Sequence, residues 1–133
     1  MSASYTLSIH LPDAPDVVEP RVRDALASQG FGVLSEIDVQ ATLAEKIGHA
    51  MGAYRILGAC NPRLAARAVT ADPDIGALLP CNVLIRGRDD GGTDVVAVDP
   101  LTMLTLGPDA LAEVATEARD LLQAALRTLD ERD

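Results

Sequence analysis

An apolar stripe near the C-terminus constrains the fold of this chain more than any other feature. Between residues 111 and 129, leucine, valine and alanine recur every three or four positions, with acidic residues on the other side. This spacing predicts a long amphipathic helix over about 108–130, introduced by Gly107-Pro108-Asp109. A helix of this kind is stabilised mainly by covering its apolar side, so the rest of the chain must supply an apolar layer. The stripe consists of Leu111, Val114, Ala115, Ala118, Leu121, Leu122, Ala125 and Leu129.

Short segments whose polarity alternates every second residue supply strands for that layer. Tyr5, Leu7, Ile9 and Leu11 alternate with polar residues, which is the pattern of a half-buried strand. The turn Asp89-Asp90-Gly91-Gly92 separates two later segments and predicts an antiparallel hairpin. The predicted strands cover residues 5–11, 31–39 with an irregularity around Leu34-Ser35, 54–60, 81–86 and 94–98.

Helical spacing predicts the remaining elements. A first main helix covers about 16–29, and Gly30 suits the left-handed position that ends a helix. Because proline is tolerated only in the first turn, Pro20 places the start of this helix nearer Val17 than Pro15. Asn61-Pro62 has the cap and first-turn residues of another helix. The shorter predicted elements are a helix over 41–51, a helix over 62–70, a loop over 75–80 and a connector over 101–106 with a short helical turn.

This order of elements predicts one α+β domain over residues 1–133, a length that suits a single domain. The hairpin makes the sheet largely antiparallel, and helices gathered on one face of it make a two-layer sandwich. The two main helices, over about 16–29 and 108–130, form the second layer together with the short helices.

Charge and composition exclude several classes of function. The formal net charge is −9, and residues 89–133 hold eleven acids against three bases. An acidic surface repels phosphate backbones and anionic lipids, so we expect neither nucleic-acid nor membrane partners. One Phe and two Tyr, with no Trp, do not make a stacking surface for single-stranded nucleic acid. We find no basic signal segment and no apolar run of roughly 20 residues, and expect a cytoplasmic protein.

Two cysteine elements are the candidate site for chemistry. Ala59-Cys60-Asn61-Pro62 ends a predicted strand at a helix start, and Leu79-Pro80-Cys81-Asn82 begins the next strand. Unpaired N–H groups at a helix start favour a nearby thiolate, so Cys60 and Cys81, with Asn61 and Asn82, form a candidate thiol site. If the strand ends are neighbours, two thiolates can form a reversible disulfide or bind a soft metal, with His49 as a weak third ligand.

Several observations favour a structural interpretation of these residues instead. Free cysteine packs as a small apolar residue, asparagine caps helices and proline ends them. A structural zinc site takes four ligands, and a Cys-x-x-Cys redox motif is absent from the sequence. His10 and His49 are interpreted as solvent-facing, and Asp72-Pro73-Asp74 and Asp99-Pro100 as turns. The sequence contains no phosphate-binding glycine pattern and no Gly-x-Ser-x-Gly nucleophile elbow.

Four landmarks together resemble a known family over nearly the whole chain. They are residues 27–34 leading into 37–39, Ile56-Leu57-Gly58-Ala59-Cys60-Asn61-Pro62, residues 75–83, and Val98-Asp99-Pro100. In this order and spacing they resemble the domain of unknown function 302 family. The resemblance implies a TATA-binding-protein-like arrangement, with a curved antiparallel sheet, two main helices and a homodimer. It implies no established activity. It also implies a departure at the first cysteine, because other members of the family carry Gly-Asn-Pro where this chain has Cys60-Asn61-Pro62.

The sequence therefore does not define an activity, and three hypotheses follow from it. The preferred one is a non-enzymatic, dimeric domain that binds a small apolar ligand or a partner protein, with no cofactor. The second is a thiol-based redox or sulfur-handling role for Cys60 and Cys81. The third is soft-metal binding by Cys60, Cys81 and His49.

Overall fold

A computed structural model describes residues 5–104 and 109–130 of the chain. Its regular elements alternate between strands and helices, as the sequence predicts. In chain order they are β1 Thr6–Leu11, α1 Pro15–Ser28, β2 Gly32–Asp38, α2 Val39–Ile47, β3 Tyr54–Cys60, α3 Pro62–Ala71, a 3₁₀ helix Pro73–Leu78, β4 Cys81–Gly87, β5 Thr93–Val98, α4 Pro100–Leu104, a 3₁₀ turn Asp109–Leu111 and α5 Ala112–Asp130.

The described strands form one antiparallel sheet in the order β1-β5-β4-β3-β2. The β4–β5 pair is the predicted hairpin, and its register opposes Ile85 and Val95. The register of β2 against β3 shifts between Val33 and Ser35, which is the predicted irregularity. This bulge leaves Leu34 largely exposed, 70% in relative terms.

Helices α1 and α5 cover one face of this sheet, so the predicted two-layer α+β fold is confirmed. Alternate residues of the central strands, such as Leu57, Ile85 and Val95, are fully buried beneath them. Val22 of α1 and Leu122 of α5 belong to this same core cluster. A second cluster joins α3, the 3₁₀ helix and the first half of α5, and consists of Leu64, Ala68, Ile75, Leu111, Val114, Ala115 and Ala118.

Helix α5 confirms the predicted apolar stripe. All of its predicted positions are buried except Leu121, which is half-buried, and Leu126 is buried as well. Asp109–Leu111 forms a 3₁₀ turn and the α-helix begins at Ala112, later than the predicted start at about 108. Gly107-Pro108 and the end of the predicted 101–106 connector lie outside the described residues, and the rest of that connector lies in α4.

Helix α1 corrects the prediction for its start. It begins at Pro15, so Pro20 lies inside the helix beyond the first turn. Proline there removes one backbone hydrogen bond. Burial of Val18 and Val22 outweighs that loss, because each side chain is almost completely removed from water.

Three other predicted boundaries were wrong. Val39 begins α2 rather than ending β2, because the Asp38 carboxylate accepts a hydrogen bond from Ala41 N–H as a helix cap. Helix α2 ends at Ile47 rather than at residue 51, because Gly48 adopts the left-handed conformation that caps it. The predicted loop over 75–80 is mostly the 3₁₀ helix.

The second face of the sheet carries a mixture of apolar and polar side chains that the two main helices leave open. Ile56, Leu84, Val96 and Val98 are half-buried there, and Tyr5 at the border is mostly exposed. In the described residues, no helix combines the length and the apolar character needed to cross a membrane.

Candidate functional site

A cavity of about 250 Å³ lies at the junction between the two core clusters. Phe31 and Ala59 of the first cluster form one side, and residues of α3 and α5 from the second cluster form another. We call it the cysteine cavity. Its lining is Phe31, Leu34, Ala59, Cys60, Asn61, Leu64, Ala65, Ala68, Leu79, Pro80, Cys81, Pro100, Val114 and Ala118.

Strand pairing brings the two cysteines to this cavity. Strand β3 ends at Cys60 and strand β4 begins at Cys81, and antiparallel pairing places these two ends side by side. The register opposes Ala59 and Cys81, so Cys60 is one residue beyond that pair. The sequence left open whether these strand ends are neighbours; in the structure they are, and both residues are free thiols.

Cys81 lies in the inner wall of the cavity and is only 9% exposed. Burial, together with the nearby charge of Cys60, raises the pKa of the Cys81 thiol to about 11. The neutral thiol is the form that this apolar environment favours. The sequence-based expectation of a thiolate therefore does not hold for Cys81 at neutral pH.

Cys60 is half-buried and more accessible than Cys81. Leu34, the exposed bulge residue of β2, also lines the cavity, so part of the lining reaches solvent. The two cysteines thus share one cavity but differ in their access to water.

Asn61 fixes the start of α3 beside the cavity. Its side-chain oxygen accepts a hydrogen bond from Leu64 N–H at 3.4 Å, which confirms the predicted cap. Its amide nitrogen donates to the Gln29 carbonyl at 3.4 Å, at the end of α1. Since both ends of the amide are engaged, Asn61 anchors the wall of the cavity to the neighbouring helix.

Pro80 occupies the space that a side chain at Gly58 of β3 would fill. A Cβ atom on Gly58 would lie 2.8 Å from Pro80 Cγ and in closer conflict with Ser35 Oγ. The Leu79–Pro80 peptide bond is cis. The absence of a side chain at Gly58 therefore lets the turn before Cys81 and the bulged strand β2 approach β3 closely.

The other predicted site residues are not part of this lining. Asn82 is exposed opposite Gly58 in the register and lies on the open sheet face, because successive strand residues point to opposite faces. The two asparagines, mirrored in sequence, thus have different environments. Among the described residues no three His, Cys, Asp or Glu side chains are arranged to hold a metal ion, and exposed His49 joins no such site with the cysteines.

Two groups of charged side chains lie elsewhere. Arg55 donates to Asp16 and Glu19, and Arg23 bridges Glu19 and Glu36. His10, predicted to face solvent, is exposed but has Nδ1 3.4 Å from Asp94, which also accepts hydrogen bonds from Arg86 and Arg88. These pairs link α1 to the sheet and β4 to β5, and none of these residues lines the cysteine cavity.

Sequence reasoning missed most of the lining. Phe31 lies in a predicted strand and Ala118 in the predicted helix stripe, and apolar spacing of this kind identifies the buried side of an element but not a gap in its packing. Only the paired cysteines gave a signal for this place.

The family model described as domain of unknown function DUF302 matches residues 7–129. The chain belongs to the DUF302 family. This confirms the resemblance seen in the sequence landmarks.

A solved structure shows the same fold. The crystal structure of an uncharacterized conserved DUF302 protein from Bacillus stearothermophilus is similar to this chain with a TM-score of 0.86 and 27% sequence identity. The similarity covers 94% of this DUF302 chain and 98% of the other. No curated protein matches the sequence significantly.

Proposed function

We propose that this DUF302 protein is a non-enzymatic binding domain that holds a small apolar molecule in the cysteine cavity. The observation that supports this is the lining. Apart from Asn61 and the two thiols, its described residues are apolar, and the Asn61 amide already has partners on both sides. Desolvating an apolar molecule against such a wall is favourable and leaves no polar group of the protein newly unpaired.

The volume of the cavity limits the size of the ligand. An engineered cavity of about 150 Å³ holds benzene, so by proportion a cavity of about 250 Å³ accepts on the order of ten non-hydrogen atoms. Small alkylbenzenes and cyclic hydrocarbons are of this size. The partly exposed lining at Leu34 provides a route of entry.

Thermal unfolding with and without toluene, indole and cyclohexane tests this proposal. A ligand at a hundred times its Kd stabilises the folded state by about 2.7 kcal/mol, which raises Tm by on the order of 10 °C for a chain of this length. Ala118→Leu fills the cavity and should abolish the rise. Ala112→Leu, on the exposed side of the same helix, should retain it.

Overpacking of a buried position such as Ala118 itself lowers stability, so a second filling variant is useful. Ala65→Leu changes a half-buried lining residue of α3, where the wall has more freedom to adjust. Absence of stabilisation by every apolar probe, or equal stabilisation of wild type and both filling variants, would reject the proposal.

We also propose that the protein is a homodimer paired through the open sheet face. This face places the half-buried side chains Ile56, Leu84 and Val96 at its centre. Its charged members, Arg86 and Asp94, form an ion pair with each other, so the acidic charge of the chain does not oppose pairing here. A second copy related by a two-fold axis would bring the apolar centre against itself.

The dimensions of the sheet are sufficient for such a dimer. Five strands about 4.8 Å apart and six or seven residues long span a plane of roughly 24 by 20 Å. Pairing two copies covers roughly 1,000 Å², which is the lower range for a specific interface.

Sedimentation equilibrium measures this dimer directly. Leu84→Glu places a charge at the centre of the face and should give a monomer. Val69→Glu, an exposed apolar position on α3, should leave the dimer intact. A wild-type monomer at high micromolar concentration would contradict the proposal.

The thiol-based redox role stays an alternative, supported by the presence of both cysteines at one cavity. We also propose a cytoplasmic location. The two free thiols support it, because thiols are kept reduced in the cytoplasm. Mild oxidation followed by mass spectrometry tests the redox role. An internal bridge between Cys60 and Cys81 that forms reversibly would favour it over simple binding.

A further inference from the structure

We propose that Cys60 is a covalent capture site, at which a neutral apolar electrophile that enters the cysteine cavity adds to Sγ while Cys81 remains a thiol. The inference rests on the proposed binding function, because the cavity concentrates and positions the electrophile. It assigns different roles to two cysteines that the sequence presents as equivalent.

Access to water separates the two thiols. Cys60, at the last position of β3, is half-buried, and the lining near it includes the exposed Leu34. Cys81 is nine-tenths buried in the same lining, and no hydrogen-bonding partner of its thiol is seen in the described residues. A reagent that arrives from solvent therefore meets Cys60 under less steric restriction than Cys81.

Polarity selects the class of electrophile. The described lining carries no charged side chain, so an anionic reagent would lose its hydration without gaining a counter-ion. The arginines at the start and middle of α3, Arg63 and Arg67, are exposed and lie outside the lining, and Arg67 pairs with Glu117. The net charge of −9 also repels anions from the surface as a whole.

Conjugate addition fits these conditions because it needs no further reactant. The electrophile is a neutral α,β-unsaturated carbonyl compound. Sulfur forms a bond to the β-carbon as the carbon–carbon π bond breaks, and the thiol proton is transferred to the α-carbon. The product contains all atoms of the thiol and the electrophile, and nothing is oxidised at sulfur by an external reagent.

The environment of Cys81 prevents the same reaction there. The thiolate is the reactive form of cysteine. With a pKa of about 11, Cys81 is a thiolate in on the order of one molecule in ten thousand at pH 7. Burial and protonation thus both protect Cys81, although it lines the same cavity.

Labelling of the native protein tests the assignment. N-ethylmaleimide is the neutral probe and 3-maleimidopropionate its anionic counterpart, with peptide mapping by mass spectrometry. We expect one label, on Cys60. The ratio of the labelling rate with N-ethylmaleimide to the rate with 3-maleimidopropionate should be at least tenfold higher for the protein than for a small uncharged thiol compound free in solution. Cys60→Ser should lose the label and Cys81→Ala should retain it. The inference would be overturned if Cys81 were labelled before Cys60, or if the ratio of the two labelling rates equalled that of the small thiol compound.

Competition with an unreactive ligand separates this inference from the binding function. Toluene at a concentration that raises Tm by on the order of 10 °C occupies nearly every cavity, and should slow labelling of Cys60 by at least fivefold. Stabilisation by toluene with unchanged labelling rejects capture inside the cavity and leaves the binding function standing. Selective labelling of Cys60 in the absence of stabilisation by any apolar probe rejects the binding function and leaves the reactive site.

Discussion

Cys81 lies opposite Ala59 in the antiparallel ladder between β3 and β4. Because Cys60 follows Ala59 directly, this register brings both cysteines to one cavity although they are far apart in sequence. A shift of the register by one residue would turn the β4 side chains to the opposite faces of the sheet. Cys81 would then leave the inner wall, and Asn82 would take its place.

The raised pKa of Cys81 predicts a loss of stability in alkaline solution. The unfolded chain releases this proton near the ordinary pKa of 9.0, whereas the folded protein retains it up to about 11. The contribution is therefore fully present below pH 9 and is lost as pH rises to 11, because the unfolded state binds fewer protons in that window. The loss amounts to about 2–3 kcal/mol.

Urea unfolding of wild type and Cys81→Ala between pH 8 and pH 11 measures this contribution. The free energy of unfolding should fall more steeply for wild type, and the difference between the two curves should shrink as pH rises. Cys60→Ala removes only the smaller cause of the raised pKa of Cys81, the charge of Cys60, so its free energy of unfolding should still fall more steeply with pH than that of Cys81→Ala. Parallel curves for wild type and Cys81→Ala would show that burial does not perturb this thiol.

Gly58→Ala should lower the free energy of unfolding, because Pro80 and Ser35 pack closely against β3 at this position. A Cβ atom there conflicts with both side chains, and overpacking of this kind costs about 1–3 kcal/mol. Gly32→Ala is the control, since a Cβ on that β2 residue meets nothing within 4 Å. Denaturant unfolding of both variants checks the prediction, and equal stabilities would contradict it.

Removal of the Asn61 side chain should weaken the wall of the cavity. Asn61→Ala loses the cap of α3 and the bond to the Gln29 carbonyl, with an expected loss of about 1 kcal/mol in stability. Asn61→Asp keeps an oxygen for Leu64 N–H and should retain most of that stability. If Asp were as destabilising as Ala, the contact with Gln29 rather than the cap would be the main contribution. Chemical unfolding, followed by circular dichroism, separates the two outcomes.

The Glu19 carboxylate should stabilise the protein at neutral pH and cease to do so in acid. Burial raises the pKa of this carboxyl group, but its hydrogen bonds, of which the one from Arg55 is the strongest, lower the pKa by more. The net pKa therefore lies below the ordinary value of 4.5. Its contribution is therefore present above about pH 4.5 and is lost as pH falls through the lowered folded pKa. Glu19→Gln should cost about 1 kcal/mol at pH 7 and progressively less at lower pH.

Asp16→Asn is the matched control for that measurement. Asp16 also pairs with Arg55, but its side chain is 85% exposed, so solvent weakens the pair. In unfolding curves at pH 7 and pH 3, Asp16→Asn should lower the free energy of unfolding by less than Glu19→Gln does, and the loss should depend less on pH. An equal effect of both substitutions would mean that burial of Glu19 does not strengthen its ion pairs.

Local patterns predicted the elements whose signals lie within a few residues. The stripe of α5, the hairpin around residues 89–92 and the Asn61 cap depend on spacing and short-range hydrogen bonds, and the structure confirms them. The start of α1 could not be predicted in this way. Local propensity moves the start past Pro15 to accommodate Pro20, but the helix begins at Pro15, and tertiary burial of Val18 and Val22 offsets the hydrogen bond that Pro20 removes.

The candidate site was only partly predictable for a related reason. Two cysteines at strand ends indicated a place, and the candidate thiol site included the asparagine that follows each of them, Asn61 and Asn82. The first caps α3 beside the cavity and the second lies on the open face, because strand alternation continues through β4 while β3 gives way to a helix.

The sequence by itself determined the helix stripe, the alternating strands, the hairpin and membership of the DUF302 family, since each depends on residue types and their spacing along the chain. The tertiary structure alone decided that Cys60 and Cys81 share an apolar cavity, and that one is accessible while the other is buried. Register between strands and the packing of α3 and α5 over their ends produce that difference, and both depend on contacts between residues distant in the chain.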